Sequence, residues 1–231
     1  MSAKLDSTHN TVSHVAERFR GDMIPLSNPF SYFCVAAPLS EEDMRDYLEE
    51  PIAALPPSVA AKLPKVSILL VPYLAKDKPA ETVSLERPPH GKQTWTTQVR
   101  LGDQTVLAFA LKDHEVAEYH YRFYQHIARM AADLWAPDVQ SKFGALLSEE
   151  LKANVRGEVD EESWRAKQAI ERRGTRFRAD AKIFKDYVMA SFADTMTLYL
   201  HGICCDIDVE TGPRQLPSNY LRKRITLLRE M

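Results

Sequence analysis

The sequence predicts an α+β fold, with a small, mostly antiparallel sheet at about residues 66–112 and a second half dominated by helices. Two observations support this fold class. Eleven of the fourteen prolines lie before residue 90, and because proline breaks helix interiors, the long helices belong to the rest of the chain. Strand-like apolar runs end near residue 112, and a helical apolar period begins there.

The same division predicts the domain organisation. Residues 1–22 are polar and are expected to form a flexible N-terminal tail. Residues 23–231 are expected to form a single α+β domain, since a chain of this length buries enough surface to fold without the support of disulfide bonds or a structural metal ion. Within it, residues 23–112 supply proline-rich loops, short helices and the sheet, and residues 113–231 supply a helical layer.

The elements before residue 112 are short. Two helices are expected at residues 40–50 and 58–62, and three strands at residues 66–71, 93–101 and 105–111. Ser40 is a hydroxyl cap followed by three acidic residues, which favours a helix start. The last two strands flank Gly102 and Asp103, which predicts a β-hairpin.

The elements after residue 112 are mostly long helices. They are expected over residues 113–135, 138–154, 163–173, 179–200 and 218–230, with a short strand over 203–209. Asp113 is the expected N-cap of the first helix and Pro137 its terminator. Gly174 and Gly202 follow the last apolar positions of two further helices, where glycine commonly ends a helix.

The composition excludes several classes of protein. A net charge of −2 gives no general attraction to nucleic acid or to a membrane surface. No apolar run approaches the length of a membrane span, and the first residues lack the apolar core of a secretory signal. The cysteines Cys34, Cys204 and Cys205 are odd in number and two are adjacent. We therefore expect a reduced, cytoplasmic protein with no membrane contact.

The segment from His114 to His120 is a near match to the zinc-protease pattern H-E-x-x-H. In that pattern the histidines are four residues apart and share a helix face. Here they are six residues apart. On a regular helix the second imidazole is then rotated by about 240° around the helix axis from the first, so the two cannot bind the same metal ion. His114 and Glu118 do have i, i+4 spacing. The alternative is a solvated helix start with Glu118 paired to Arg122, and a core-edge role for His120.

A second group of ligand-type side chains lies near the end of the helix expected at 179–200. Asp194 and His201 are seven residues apart, which is almost the same angle on a helix that is otherwise apolar. If the two helices are neighbours, their side chains form a divalent-metal site of the kind that helix bundles build. The candidate ligands are His114, Glu118, Asp194 and His201. Ordinary packing of these groups is the alternative.

Two further hypotheses concern thiols and basic residues. Cys204 and Cys205 are candidate reactive thiols, with packing of small buried side chains as the alternative. Residues 165–185 carry eight Lys or Arg against two acidic residues, and a basic face of this kind contacts phosphates. The candidate nucleic-acid contacts are Arg172, Arg173, Arg176 and Arg178. Pairing of this stretch with the acidic runs of the chain is the alternative.

The leading functional prediction is a protein that acts by association, as an interaction or regulatory subunit with a protein partner or a second copy of itself. The sequence contains no P-loop, Rossmann glycine pattern or nucleophile elbow. One alternative is a metal-dependent hydrolase with a His/carboxylate site between two helices. The other is a nucleic-acid accessory protein that uses the basic stretch. Whether the chain is an enzyme stays open at this point.

Overall fold

The computed structural model describes residues 10–35, 38–172, 182–205 and 214–230. The chain forms two compact units, residues 1–122 and residues 123–231, and the boundary falls inside one long helix. Sheets and short helices make up the first unit, and the described part of the second unit is helical, which confirms the α+β fold class. The single domain expected over residues 23–231 stays a prediction.

The described residues of the first unit form eight strands. These are β1 (Ile24–Ser27), β2 (Phe30–Cys34), β3 (Lys65–Val71), β4 (Tyr73–Ala75), β5 (Thr82–Ser84), β6 (Gln93–Thr94), β7 (Thr96–Leu101) and β8 (Gln104–Ala110). The larger sheet has the order β1-β2-β3-β8-β7, and the smaller sheet has the order β5-β4-β6. The larger sheet also extends the expected range, because β1 and β2 precede residue 66.

Strand direction in the larger sheet is mixed. The outer pairs, β1–β2 and β7–β8, are antiparallel, whereas β3 pairs in parallel with both β2 and β8. The expected hairpin is confirmed, and Gly102 at its turn has a φ of +61°, a conformation that glycine adopts at no steric cost. Strand β3 is central and buried on both faces, which is why its sequence is a continuous apolar run rather than an alternating one.

Helix α1 (Val12–Arg18) shares a buried core with the larger sheet. Its residues Val12, Val15 and Ala16 are each 1% exposed and belong to the same apolar cluster as side chains of β3 and β8. A 3₁₀ turn follows at Arg20–Asp22. Residues 12–22 of the expected flexible tail are therefore folded, because their apolar side chains recur at helical spacing and cover the sheet.

The other helices of the first unit are short. Helix α2 (Glu41–Met44), a π-helical segment (Arg45–Glu49) and α3 (Glu50–Ala53) follow each other without a break, and α4 is Pro57–Ala60. The expected cap at Ser40 is confirmed. Its hydroxyl accepts the N–H of Asp43 at 3.0 Å, and the Asp43 carboxylate accepts the N–H of Ser40 in return, which forms a capping box.

Five helices account for the long elements. They are α5 (Val116–Leu134), which spans the unit boundary, and α6 (Pro137–Lys152), α7 (Glu161–Glu171), α8 (Lys182–Cys204) and α9 (Ser218–Arg229) in the second unit. Two predicted boundaries are wrong. Asp113 is not the N-cap of α5, because its φ of +69° is left-handed and a cap needs extended backbone. Helix α8 continues through Gly202 to Cys204, so Ile203 is helical and not in a strand.

Candidate functional site

His114 and Glu118, the first pair of candidate metal ligands, have contacts of their own. His114 lies before α5 begins, its Nε2 contacts the carbonyl oxygen of Ala110, and its ring centre is 5.1 Å from that of Trp95. Glu118 accepts a hydrogen bond from Arg122 at 2.8 Å. Because His114 is outside the helix, the i, i+4 geometry that gave the pair a common face does not apply.

His120, for which a core-edge role is the alternative prediction, is buried in the structure. It is 4% exposed, and its Nε2 lies 2.6 Å from the backbone oxygen of Asp46. A buried imidazole needs such a partner, since an unsatisfied polar group in the core is costly.

Asp194, in the second pair, binds a helix end. It is 4% exposed and its carboxylate accepts the N–H of Ser163 at 2.8 Å, in the first turn of α7. Burial raises the pKa of Asp194 to about 6, although the Ser163 hydrogen bond acts in the opposite direction. The negative charge of the ionised Asp194 carboxylate is partly compensated by the positive N-terminal end of the α7 dipole.

His201 lies too far along α8 to form a hydrogen bond with Asp194. Seven residues of helix separate the two by about 10 Å along the axis, which is beyond hydrogen-bond reach. His201 is 8% exposed, and its ring centre is 6.1 Å from that of Tyr124. The two candidate pairs, His114 with Glu118 and Asp194 with His201, belong to different units. Their convergence on one metal stays a prediction.

The candidate thiols lie at the end of α8. Cys204 is the last helical residue, and the N–H of Cys205 donates to the carbonyl oxygen of His201 at 2.8 Å, which closes the last turn. Both side chains are partly exposed, and the two sulfur atoms lie within 4.8 Å of each other. All three cysteines of the chain are described, and none forms a disulfide.

Only one of the candidate nucleic-acid contacts can be placed. Arg172 is exposed at the C-terminal end of α7. Arg173, Arg176 and Arg178 lie outside the described residues. Contact of this stretch with nucleic acid stays a prediction.

A buried ionic network, which the sequence analysis missed, joins the elements of the second unit. Arg224 of α9 is fully buried and donates hydrogen bonds to Glu150 of α6, to Glu158 of the loop before α7, and to Ser191 of α8. The shortest of these to Glu158 and to Ser191 are both 2.7 Å. One guanidinium therefore ties three helices and a loop together with charge-assisted hydrogen bonds.

Glu158 is the second centre of this network. Lys167 of α7, which is 1% exposed, places its Nζ 3.4 Å from the Glu158 carboxylate and donates to the carbonyl oxygens of Val155 and Gly157. The hydroxyl of Tyr187 also donates to Glu158. Burial alone would raise the pKa of Glu158, but the hydrogen bonds and charge of Arg224 hold this pKa below its ordinary value.

The formal charges of the network balance. Two cations, Arg224 and Lys167, face two anions, Glu150 and Glu158, and all four are almost completely buried. A faint signal existed in the sequence, since Arg224 stands between Leu221 and Leu228 on the apolar stripe of α9. A charged residue on an apolar helix face indicates a buried group of opposite charge, but the sequence does not identify that group.

A groove of about 700 Å³ runs between α6 and α8. Helix α6 lines it with small side chains spaced like one helix face, and α8 lines it with larger apolar ones. These residues are Ser141, Gly144, Ala145 and Ser148 on α6, and Phe184, Val188 and Met189 on α8. The groove has the size of the pockets that proteins use for ligands.

Gly144 sets the depth of the groove. A Cβ placed at this position would lie 3.6 Å from Val188 Cγ2 and 3.8 Å from Phe184 Cε1, which are ordinary van der Waals distances, so a methyl group would fill the floor of the groove. Small residues on α6 let the backbones approach closely and leave the space above them open. Asp133 of α5 and Lys185 of α8, which have opposite charges, also line the groove.

Comparisons with known proteins give no relationship: no protein-family model, no curated protein and no solved structure matches the chain. Within the described ranges, no helix combines the length and the apolar character that crossing a membrane requires. The contacts of the chain itself are therefore the basis for a functional proposal.

Proposed function

We propose that this protein acts by association and that the groove between α6 and α8 binds an amphipathic helix of a partner protein. One observation supports this more than any other. The groove combines an apolar wall from α8, a wall of small side chains from α6, and oppositely charged groups at Asp133 and Lys185. Helix-binding grooves recognise apolar side chains at positions i, i+3, i+4 and i+7 of the bound helix in this way.

The residues around the groove favour binding over catalysis. Among the described residues that line it, one carboxylate and one ammonium are the charged groups, and neither an imidazole nor a thiol takes part. Catalytic pockets usually gather several titratable groups within reach of each other. Met189 adds an adaptable apolar contact, which suits a surface that accepts a side chain from another protein.

The contacts of the predicted metal ligands also support association over hydrolysis. Glu118 is paired with Arg122, and the Asp194 carboxylate accepts the N–H of Ser163. A metal ion bound to either carboxylate would have to share it with these partners.

The proposal is tested by selecting helical peptides from a displayed library on the immobilised full chain. Ala145 is exposed and lines the groove, so Ala145→Arg fills it without disturbing a buried side chain. The matched control is Ala153→Arg, also at an exposed alanine, just beyond α6. We expect enriched peptides to be amphipathic helices whose affinity falls at least tenfold, about 1.4 kcal/mol, on Ala145→Arg and is unchanged on Ala153→Arg.

Two results would contradict the proposal. One is a set of peptides that bind Ala145→Arg as well as they bind the natural chain, or the absence of any enriched sequence. The other is a concentration-dependent dimer of the natural chain, seen by sedimentation equilibrium, that Ala145→Arg abolishes. That result would assign the groove to a second copy of this chain instead of a partner helix.

A further inference from the structure

The end of α8 brings two thiols together on adjacent residues. The sulfur atoms of Cys204 and Cys205 lie within 4.8 Å of each other, and both side chains are partly exposed. A metal ion with bonds to sulfur of about 2.3 Å and tetrahedral angles holds two sulfurs about 3.8 Å apart. The observed separation therefore requires little or no movement for both thiols to bind the same ion.

A disulfide between the same residues would fit less well. The Cys204–Cys205 peptide bond is trans, which places the two Cα atoms about 3.8 Å apart. Disulfides usually join Cα atoms about 4.4–6.8 Å apart, so closing the bond would strain the end of the helix. A bridging metal ion avoids this strain, because the two metal–sulfur bonds span a wider gap than one sulfur–sulfur bond.

The position in the helix also favours a cation. The C-terminal end of a helix carries partial negative charge from its unpaired carbonyl groups, and Cys204 is the last residue of the 23-residue helix α8. This field attracts a cation that approaches the two sulfur atoms.

We infer that Cys204 and Cys205 form a chelating pair for a thiophilic divalent cation of the Zn²⁺ or Cd²⁺ type. Two S–H bonds give up their protons to solvent, and two metal–sulfur bonds form, with no change of oxidation state. Solvent or further side chains complete the coordination. This inference does not depend on the groove between α6 and α8, which lies on other residues.

The test uses Cd²⁺ added to the reduced full chain after treatment with a chelator. We expect one Cd²⁺ per chain, with the ultraviolet absorption of cadmium bound to two thiolates. Cys204→Ser and Cys205→Ser should each weaken binding at least tenfold. The control Cys34→Ser, at a thiol that is also partly exposed, should leave binding unchanged. Because protons leave when the ion binds, the affinity should rise with pH.

A second measurement avoids any substitution. Bound Cd²⁺ should protect Cys204 and Cys205 of the natural chain from alkylation, as located by mass spectrometry, and should leave Cys34 as reactive as before. The inference is overturned if Cd²⁺ binds equally well after both Cys204 and Cys205 are changed to serine, if the absorption is lost in Cys34→Ser, or if none of the three thiols is protected.

Discussion

Replacing Arg224 by methionine gives the sharpest test of the buried ionic network. Methionine has a similar length and fits an apolar stripe, but it removes the charge that α9 contributes to this network. Glu150 then loses three hydrogen bonds from Arg224, and Glu158 loses two. Glu158 still has Lys167 at 3.4 Å. The main cost therefore falls on Glu150, which is 2% exposed.

The size of the effect follows from the charge left behind. Breaking a buried ion pair by removing one partner costs about 3–5 kcal/mol. The folded chain can limit the loss by protonating the stranded carboxyl group. At Glu158, Arg224 holds the pKa below its ordinary value and burial alone would raise it, so without Arg224 this carboxyl group takes up a proton more readily. The loss of stability in Arg224→Met should therefore shrink as the pH falls, because the folded variant binds a proton that its unfolded chain releases.

The assay is urea unfolding followed by circular dichroism at pH 7 and at pH 5. We expect Arg224→Met to lose about 3–4 kcal/mol of unfolding free energy at pH 7, relative to the natural chain at the same pH. Arg222→Met, at an exposed position of the same helix, should change it by less than about 0.5 kcal/mol. Adding Glu150→Gln to Arg224→Met should restore part of the loss at pH 7, since the buried side chain at position 150 then carries no charge.

Two outcomes would refute this reasoning. A loss below about 1 kcal/mol at pH 7 would mean that the two carboxylates are not dependent on Arg224 for their charge balance. A loss of equal size at pH 5 and pH 7 would mean that the cost comes from packing and not from a stranded charge. If Arg224→Met does not fold at pH 7, the double variant with Glu150→Gln keeps the comparison measurable.

Two other predictions concern the second unit. The pKa of Asp194 in the folded chain is raised to about 6. The protonated carboxyl group therefore stabilises the folded chain at low pH, and this stabilisation is lost as the pH rises from about 4 to 6. Asp194→Asn keeps an acceptor for Ser163 and should remove roughly 2–3 kcal/mol of the change in unfolding free energy between pH 4 and pH 7. An unaltered pH dependence would contradict this. Gly157→Ala should destabilise by about 3 kcal/mol or more, because its Cβ would lie 2.1 Å from the backbone oxygen of Gln215. Gly91→Ala, at a similar φ with nothing within 4 Å, should cost only about 1 kcal/mol in the same urea assay, and equal losses would exclude the backbone clash.

The fold was predictable where the sequence has a local signal. The capping box at Ser40, the hairpin around Gly102 and the helices at 137–152 and 218–229 depend on neighbours within a few residues, and each was expected close to its observed position. Strand β2 was missed. Its five residues show no alternation and pair with β3, more than 30 residues away.

Boundaries failed where a local rule competed with tertiary packing. A glycine in the position of Gly202 usually ends a helix, but α8 continues through it to Cys204. The N–H of Cys205 still donates to the carbonyl oxygen of His201 and completes the last turn. Asp113 had the right chemistry for a cap but the wrong backbone, with a left-handed φ. The hydrogen-bonding ability of a side chain can be read from its type, whereas its dihedral angles depend on the strand and helix that it connects.

The candidate side chains show the same limit. Their types were evident from the chain, but their partners were not: Asp194 binds the N-terminus of α7, and Arg224 binds Glu150, which is 74 residues away. Apolar periodicity, capping residues and turn glycines fix which face of an element is buried, since these act over one or two helical turns. Which element covers that face, and which charge meets which, depends on contacts between distant segments, and only the folded chain brings those segments together.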